Sequence, residues 1–259
     1  MRLADKIALI TGGGRGVGRV VALTFAREGA DLAICARTEG ELKSTAAEVE
    51  KLGRRCFLQT CDVTVSDQCQ ALVQAALRHF GRLDILVNNA GGGDVARYST
   101  VGKADDAWWF DNLALNLHST FFFCRVVLPH MVERRYGRIV NISSIAGLRG
   151  LPNMASYAAA KHGVEGLSRS IALETGKLGI TCNSICPGSV RAGWTISEGG
   201  AGIAAKAAGL TMEEYTKVTA KAHTTGKIVE PEEIAELAVF LASDLSRTTT
   251  GQSIMMGFA

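Results

Sequence analysis

The 259-residue sequence predicts an α/β protein, a doubly wound, mainly parallel sheet with helices on both faces. Two observations carry this. Short β-type runs alternate with longer helical patterns, and those runs are almost wholly apolar, as strands covered on both faces require. A third is the glycine-rich string Thr11-Gly12-Gly13-Gly14-Arg15-Gly16-Val17-Gly18, which joins the first run to the first helical pattern.

In order, Ile7-Ala8-Leu9-Ile10 reads as the first strand, with a helix after Gly18. Leu32-Ala33-Ile34-Cys35 is the second, followed by a helix from about Glu39 to Lys51. Further strands are expected at Cys56-Phe57-Leu58, Ile85-Leu86-Val87, Arg138 to Ile142 and Ile180 to Ile185, each separated by a helical pattern. The four prolines, Pro129, Pro152, Pro187 and Pro231, are expected at segment edges or loops, where a missing N–H is tolerated. No internal repeat or low-complexity linker interrupts the pattern, so one domain over 1–259 is the economical reading. The exception is Ser189 to Val229, rich in Gly and Ala and without a clear strand. Its better helical part, about Thr211 to Ala222, starts with a Thr cap and has Glu214 three residues on. It reads as a substrate lid over about 189–229; a surface insertion without a role is the alternative.

Composition narrows the function. A hydrophobic content of 47% against 20% charged residues supports a substantial core. The net charge of +3 is mild and the basic residues are dispersed, which argues against nucleic acid as a partner. The seven cysteines, at 35, 56, 61, 69, 124, 182 and 186, form no Cys-x-x-Cys pair and no zinc spacing with histidine. They read as buried thiols in a reducing cytoplasm, with no disulfide and no metal. The longest apolar stretch, Leu117 to Leu128, is broken by His118 and Arg125, so a soluble protein without a membrane partner is expected. The five histidines are scattered, and none reads as a site residue.

The chemistry lies in two places. Thr11 ends a strand and the glycines bridge to a helix, so the backbone can approach a pyrophosphate that the helix N-terminus stabilises. Further on, Tyr157 and Lys161 stand at i and i+4, on one helical face, with Ser144 thirteen residues upstream. A phenol is a poor proton-transfer group at neutral pH, and a fixed neighbouring cation changes that. A site for NAD usually carries Asp or Glu at the end of the second strand, to bind the ribose hydroxyls. Here Ala36 stands there, with Arg37 next, while Asp31 is at the wrong end of the strand. Arg37 and Arg15 can grip a 2′-phosphate, which predicts NADP(H); two solvated loop arginines are the alternative.

The co-ordered strings Thr11-Gly12-x-x-x-Gly16-x-Gly18, Asp62-Val63, Asn88-Asn89-Ala90-Gly91, Asn116, Ser144, Tyr157-x-x-x-Lys161 and Pro187-Gly188 resemble the compact branch of the short-chain dehydrogenase/reductases, from the first strand to about residue 255. The resemblance implies a seven-stranded Rossmann sheet and commonly a homotetramer, with a homodimer as the alternative. It implies a catalytic tetrad of Asn116, Ser144, Tyr157 and Lys161. Asp62, beside Val63, would hold the adenine amino group. Asn88 would steady the central strand, and Asn89, Ala90 and Gly91 would line the cofactor groove. Gly12, Arg15, Gly16, Val17, Gly18, Arg37, Tyr157, Lys161, Pro187, Gly188 and Val190 complete the expected cofactor contacts. Two departures stand out. The threonine common shortly after Pro-Gly is Ala192, with Ser189 or Thr195 as substitutes, and the C-terminal Ile254 to Ala259 lacks the usual Asp-Gly-Gly.

In ketone reduction, hydride would pass from NADPH to the carbonyl carbon, Tyr157 would protonate the oxygen, and Ser144 would orient it. Lys161 at about 6 Å would favour the phenolate by about 3 kcal/mol at an effective dielectric of 20, roughly two pKa units. Lys161 would also anchor the nicotinamide ribose, and Asn116 would hold a water joining Lys161 to solvent. The expected pocket walls, Gly92 to Arg97, Leu148 to Met154 and Ser189 to Tyr215, offer Leu148, Leu151, Met154, Trp194, Ile196 and Met212, with Asp94, Arg97, Arg149 and Arg191 as charges. They suggest a mainly apolar ketone or secondary alcohol. A β-ketoacyl thioester remains open, with Arg134, Arg135 and Arg138 as candidates for a basic mouth. So does a catalytically silent NADPH-binding regulator.

Overall fold

Apolar side chains alternate between two helical layers along every central strand, and that alternation builds the molecule. The computed structural model describes residues 1–93, 97–191, 202, 205–206 and 208–258. Its strands are β1 (Ile7–Thr11), β2 (Asp31–Ala36), β3 (Cys56–Thr60), β4 (Ile85–Asn88), β5 (Gly137–Ile142), β6 (Ile180–Pro187) and β7 (Ser253–Met256). Its helices of eight residues or more are α1 (Gly16–Arg27), α2 (Glu39–Lys51), α3 (Ser66–Phe80), α4 (Asp106–Leu113), α5 (Ser119–Arg134), α6 (Ala155–Thr175), α7 (Met212–Ala222) and α8 (Pro231–Ala242).

The strands form one seven-stranded sheet in the order β3-β2-β1-β4-β5-β6-β7, with every pair parallel. Ala8, Ile10, Leu32, Ile34, Ile85, Val87 and Val140 face one layer, packed with Val21 and Phe25 of α1 and Ile234 and Val239 of α8. Ile7, Leu9, Ala33, Cys35, Leu86 and Ile139 face the other, with Leu72 of α3, Phe123 and Val127 of α5 and Ile171 of α6. The period of two in a strand explains why an unbroken apolar run serves both layers. The chain leaves β3 at one edge and re-enters beside β1 as β4. That reversal opens a crevice at the C-terminal ends of β1 and β4, the usual ligand position in such sheets.

The strands agree with the sequence reading and extend it by one or two residues at most ends. Helix α2 spans the predicted 39–51. Helix α7 starts after Thr211, whose hydroxyl accepts the amide of Glu214 while Glu214 accepts that of Thr211, the predicted cap. Pro129 differs from expectation: it lies inside α5 rather than at an edge. It sits on the exposed side, where water can satisfy the carbonyl it frees, while Val127 and Met131 on the buried side hold the helix together. The Val229 amide donates to the Ser189 carbonyl and the Arg191 amide to the Val229 carbonyl, and the expected lid residues 192–201, 203, 204 and 207 lie outside the described residues. Among the described residues, no helix is long and apolar enough to cross a membrane, and all seven cysteines are free thiols.

At the N-terminal end of the sheet, buried Asp84 accepts the Ile7 amide at 2.9 Å and pairs with Arg82 at 3.1 Å and Arg134 at 2.9 Å. Asp84→Ala leaves the Ile7 N–H without a partner, and chemical denaturation should show a loss of about 2 kcal/mol of stability.

Candidate active site

The crevice is assembled by short polar side chains that satisfy the strand ends. The Thr11 hydroxyl accepts the amides of Asn89 and Ala90, each at 2.9 Å, and Asn89 Nδ2 donates to the Thr11 carbonyl at 2.9 Å. Asn88 Nδ2 donates to Asn141 Oδ1 at 2.8 Å, tying β4 to β5. This leaves no room beside the loop: a Cβ at Gly18 would lie 2.2 Å from the Gly12 carbonyl oxygen and 2.4 Å from Asn89 Nδ2. Gly12 and Gly16 hold φ of 68° and 54°, the left-handed region that glycine tolerates. Helix α1 then begins with no side-chain cap from Arg15 and no acid in its first turn, and a Cβ at Gly16 would point into open space. Its first N–H groups are therefore available to an anion, and the site fits a dinucleotide pyrophosphate.

At the outer end, β2 finishes at half-buried Ala36, followed by exposed Arg37. Arg15 is exposed and stands 3.7 Å from Glu41. Asp31 is at the far end of β2, paired with Arg54 and Arg55, and is removed from the crevice. Asp62 accepts the Thr64 hydroxyl at 2.7 Å and amide at 2.9 Å; these bonds, with the charge of Arg37, hold its carboxyl below the usual range.

The predicted tetrad is brought together. Tyr157 and Lys161 lie on one face of α6, with Lys161 Nζ 5.7 Å from the Tyr157 ring centre. Ser144, at the turn after β5, stands beside the Tyr157 phenol, whose charged form it favours, and its hydroxyl accepts the Ala146 amide at 3.1 Å. Buried Lys161 donates to the Ile142 carbonyl at 2.9 Å. Asn116 sits in a π-helical widening over Ala114–His118, a deformation common at functional positions. Its Oδ1 accepts the Gly92 amide and its Nδ2 donates to the Gly92 carbonyl, both at 2.8 Å. A Cβ at Gly91 would lie 2.8 Å from Asn116 Oδ1 and 3.5 Å from Lys161 Nζ, so glycine lets these three meet.

Two expectations need correction. Lys161 does not dominate the acidity of Tyr157 here: burial of the phenol raises its pKa above the ordinary value, and the Ser144 hydroxyl only partly opposes it. Lys161 is itself pushed down to about 8 by burial, against the opposing pull of Cys186 and Glu165. Desolvation disfavours both charged forms and wins over their mutual attraction. Nor is the Asn116 amide nitrogen free to hold a water, because the Gly92 and Asn112 oxygens occupy it; the second lone pair of its Oδ1 remains.

Sequence reasoning also missed two residues. Glu165, one turn beyond Lys161, is buried against Cys186 and Ser253. His223 at the end of α7 is buried and accepts the Ser189 amide at 3.1 Å. The first had a signal in the continued i+4 spacing; the second had none. The arginines suggested for a basic mouth lie at the opposite end of the sheet, where Arg134 pairs with Asp84, Arg135 bonds the Lys177 carbonyl and buried Arg138 pairs with Asp244. Asp94, Ala192, Trp194, Thr195 and Ile196 lie outside the described residues.

The profile of the short chain dehydrogenase family matches residues 6–200. The chain belongs to the short-chain dehydrogenase/reductase family. It is 37% identical to a 3beta-hydroxysteroid dehydrogenase of Mediterraneibacter gnavus, covering 98% of this chain and 94% of the relative. It is also 37% identical to a 3-oxoacyl-acyl-carrier-protein reductase of Chlamydia muridarum, covering 96% and 95%. A crystal structure of an actinorhodin polyketide ketoreductase with NADPH superposes with a TM-score of 0.90 at 32% identity, covering 97% and 95%. The chain is thus an oxidoreductase acting on CH–OH and C=O groups, and its family uses a nicotinamide cofactor.

Because the native protein holds Lys161 at about 8 and the unfolded chain holds it at 10.5, the proton costs stability below about 8, and that cost fades as pH rises toward 10.5. Lys161→Met should therefore raise Tm at neutral pH, with a gain that shrinks across this window; scanning calorimetry as a function of pH checks the sign.

Proposed function

We propose that the protein is an NADP(H)-dependent carbonyl reductase, with Tyr157 as proton donor, acting on a mainly apolar ketone or the matching secondary alcohol. The observation that carries the proton-donor assignment is the Ser144 hydroxyl beside the Tyr157 phenol, with buried Lys161 one helical turn on. A phenol held above its ordinary pKa is protonated at neutral pH, so it is a donor, which suits reduction. Ser144 binds and orients the substrate oxygen between its own hydroxyl and that of Tyr157. Lys161 keeps positive charge near the phenol as the proton leaves, and Asn116 fixes the Gly91-Gly92 turn against Lys161. When bound, the nicotinamide supplies or accepts the hydride.

The cofactor end supports the phosphate-bearing form. No acidic side chain stands at the end of β2, where a ribose 2′-hydroxyl partner would be, while Arg37 and Arg15 are exposed beside the loop. In this reading Asp62 and Val63 contact adenine, Gly12, Gly16, Val17 and Gly18 cradle the pyrophosphate, and Asn89, Ala90, Gly91, Pro187, Gly188 and Val190 line the nicotinamide half.

The substrate side supports an uncharged compound. Arg97 is tied to Asp105 and Asp111 and lies over the Trp108 ring, Arg149 lies over Phe258, and Arg191 pairs with Glu230. Each expected wall arginine among the described residues thus has a partner within the protein. Leu148, Leu151 and Met154 lie on the same wall as Arg149, consistent with the apolar hydroxysteroid named for one relative. The carrier-linked substrate of the other relative is less well served, since the basic trio lies at the far end of the sheet. In this reading segment 189–229 covers the substrate. The enzyme works in the cytoplasm as a homotetramer, with Phe110 on α4 and Phe121 on α5, 64% and 42% exposed, as apolar surface for partner copies.

Tyr157→Phe should keep NADPH binding, measured by fluorescence, and lower kcat at least roughly a hundredfold; near-normal turnover would overturn the proton-donor assignment. Ala36→Asp should shift the kcat/KM preference from NADPH toward NADH, and an unchanged ratio would refute the 2′-phosphate reading. A panel of cyclic and aromatic ketones, followed by NADPH consumption, separates an enzyme from a silent regulator: tight binding with no turnover on any member would favour the regulator.

A further inference from the structure

The C-terminal segment, whose departure from its family was apparent in the sequence, folds back onto the end of the cofactor cleft. Gly188 donates to the Met256 carbonyl at 3.0 Å, and Thr224 donates to the Gly257 carbonyl at 2.8 Å. Between these bonds lies the His223 ring, 3% exposed and 4.5 Å from the Phe258 ring. Two glycines make room for it. A Cβ at Gly257 would lie 2.5 Å from His223 Nδ1, and one at Gly188 would lie 2.9 Å from its Cε1 and 2.4 Å from Phe258. The Arg149 guanidinium, on the loop that follows Ser144, stands over Phe258, 4.4 Å from the ring centre.

The ring makes one well-formed hydrogen bond. His223 Nε2 accepts the Ser189 amide at 3.1 Å, and Ser189 in turn accepts the Val229 amide at 3.0 Å. A neutral imidazole that accepts at Nε2 carries its proton at Nδ1, which is buried without a well-formed hydrogen bond. A buried polar atom left so would be replaced by an apolar side chain at little cost if packing were all it served.

We propose that His223 is a positioning residue for dinucleotide binding: as a neutral acceptor it fixes the Ser189 amide, and through it the Pro187-Gly188-Ser189-Val190 turn, while Phe258 holds the ring in place. This deepens the reading of the site given above and rests on that turn lining the nicotinamide half. Protonation of the ring turns Nε2 into a donor that repels the Ser189 N–H, so the turn is released in acid. Burial lowers the pKa of His223; the Lys227 backbone opposes this and the Arg149 charge adds to it, so release comes below the ordinary histidine range. Among the described residues, the charge that reaches the ring is that of Arg149 from the loop after β5, while Lys227, from the connection to α8, meets it through its backbone.

The experiment is NADPH binding to the full-length protein by fluorescence titration across pH, so it reads the turn whether or not Tyr157 is the proton donor. His223→Leu, which removes the acceptor, should raise Kd roughly tenfold at neutral pH, the scale of one lost hydrogen bond. His223→Gln, which keeps an acceptor without a titrating ring, should restore most of that affinity. It should also hold its affinity in acid where the wild-type protein loses it. The 2′-phosphate titrates in both proteins, so its contribution cancels in the ratio of their affinities. An unchanged Kd in His223→Leu, a His223→Gln protein as weak as His223→Leu, or identical acid dependence in the wild type and His223→Gln would each overturn the proposal. The last comparison stands even if the leucine variant fails to fold. Failure of Tyr157→Phe to lose turnover would instead count against the catalytic reading and leave the binding data intact.

Discussion

The structure depends on how the ends of β1 and β4 are kept apart yet satisfied. Two adjacent parallel strands leave the sheet in different directions there, and their terminal amides and carbonyls lose the ladder partners they had inside it. Thr11 and Asn89 replace those partners with a side-chain exchange, and the Asn88–Asn141 bond carries the arrangement to β5. Gly12 and Gly18 follow from this, because any Cβ would enter the space these bonds occupy. The same junction leads into Gly91 and Gly92, where Asn116 is held and Lys161 comes close. A single polar tie thus positions both the dinucleotide crevice and the candidate proton-transfer group.

Electrostatics in the crevice are governed by desolvation more than by pairing. The side-chain spacing of Tyr157 and Lys161 is what a helix dictates, but the dielectric around them is a product of packing. With the phenol half-buried and the ammonium buried among strand carbonyls, the neutral forms of both gain. Lys161 retains a hydrogen bond to Ile142 and the fields of Glu165 and Cys186, which keep it charged over more of the pH range than burial alone would allow. Such an arrangement favours the protonated phenol and charges an energetic cost to the fold, a trade common to active sites.

The substrate side is built from tied elements. Arg149 reaches Phe258, Phe258 packs on His223, and His223 accepts the Ser189 amide, so the C-terminal segment, the end of α7 and the turn after β6 are joined by contacts. The arginines that could have recognised an anionic substrate are engaged by Asp105, Asp111, Glu230 or an aromatic ring instead.

The sequence by itself determined the layering of the sheet, the glycine loop with its strand and helix, and the pairing of Tyr157 with Lys161, because each depends on local period or short spacing. Helix α2 and the Thr211 cap were legible for the same reason. Pro129 was misplaced because its tolerance depends on which side of α5 faces water. The acidity of Tyr157 was misjudged because burial cannot be seen in a pair of residues. Tertiary structure alone decided that Arg134, Arg135 and Arg138 lie at the wrong end of the sheet, that Asn116 is taken up by Gly92, and that His223 meets Ser189 across 34 residues. These depend on long-range packing, where distance along the chain says nothing about distance in space.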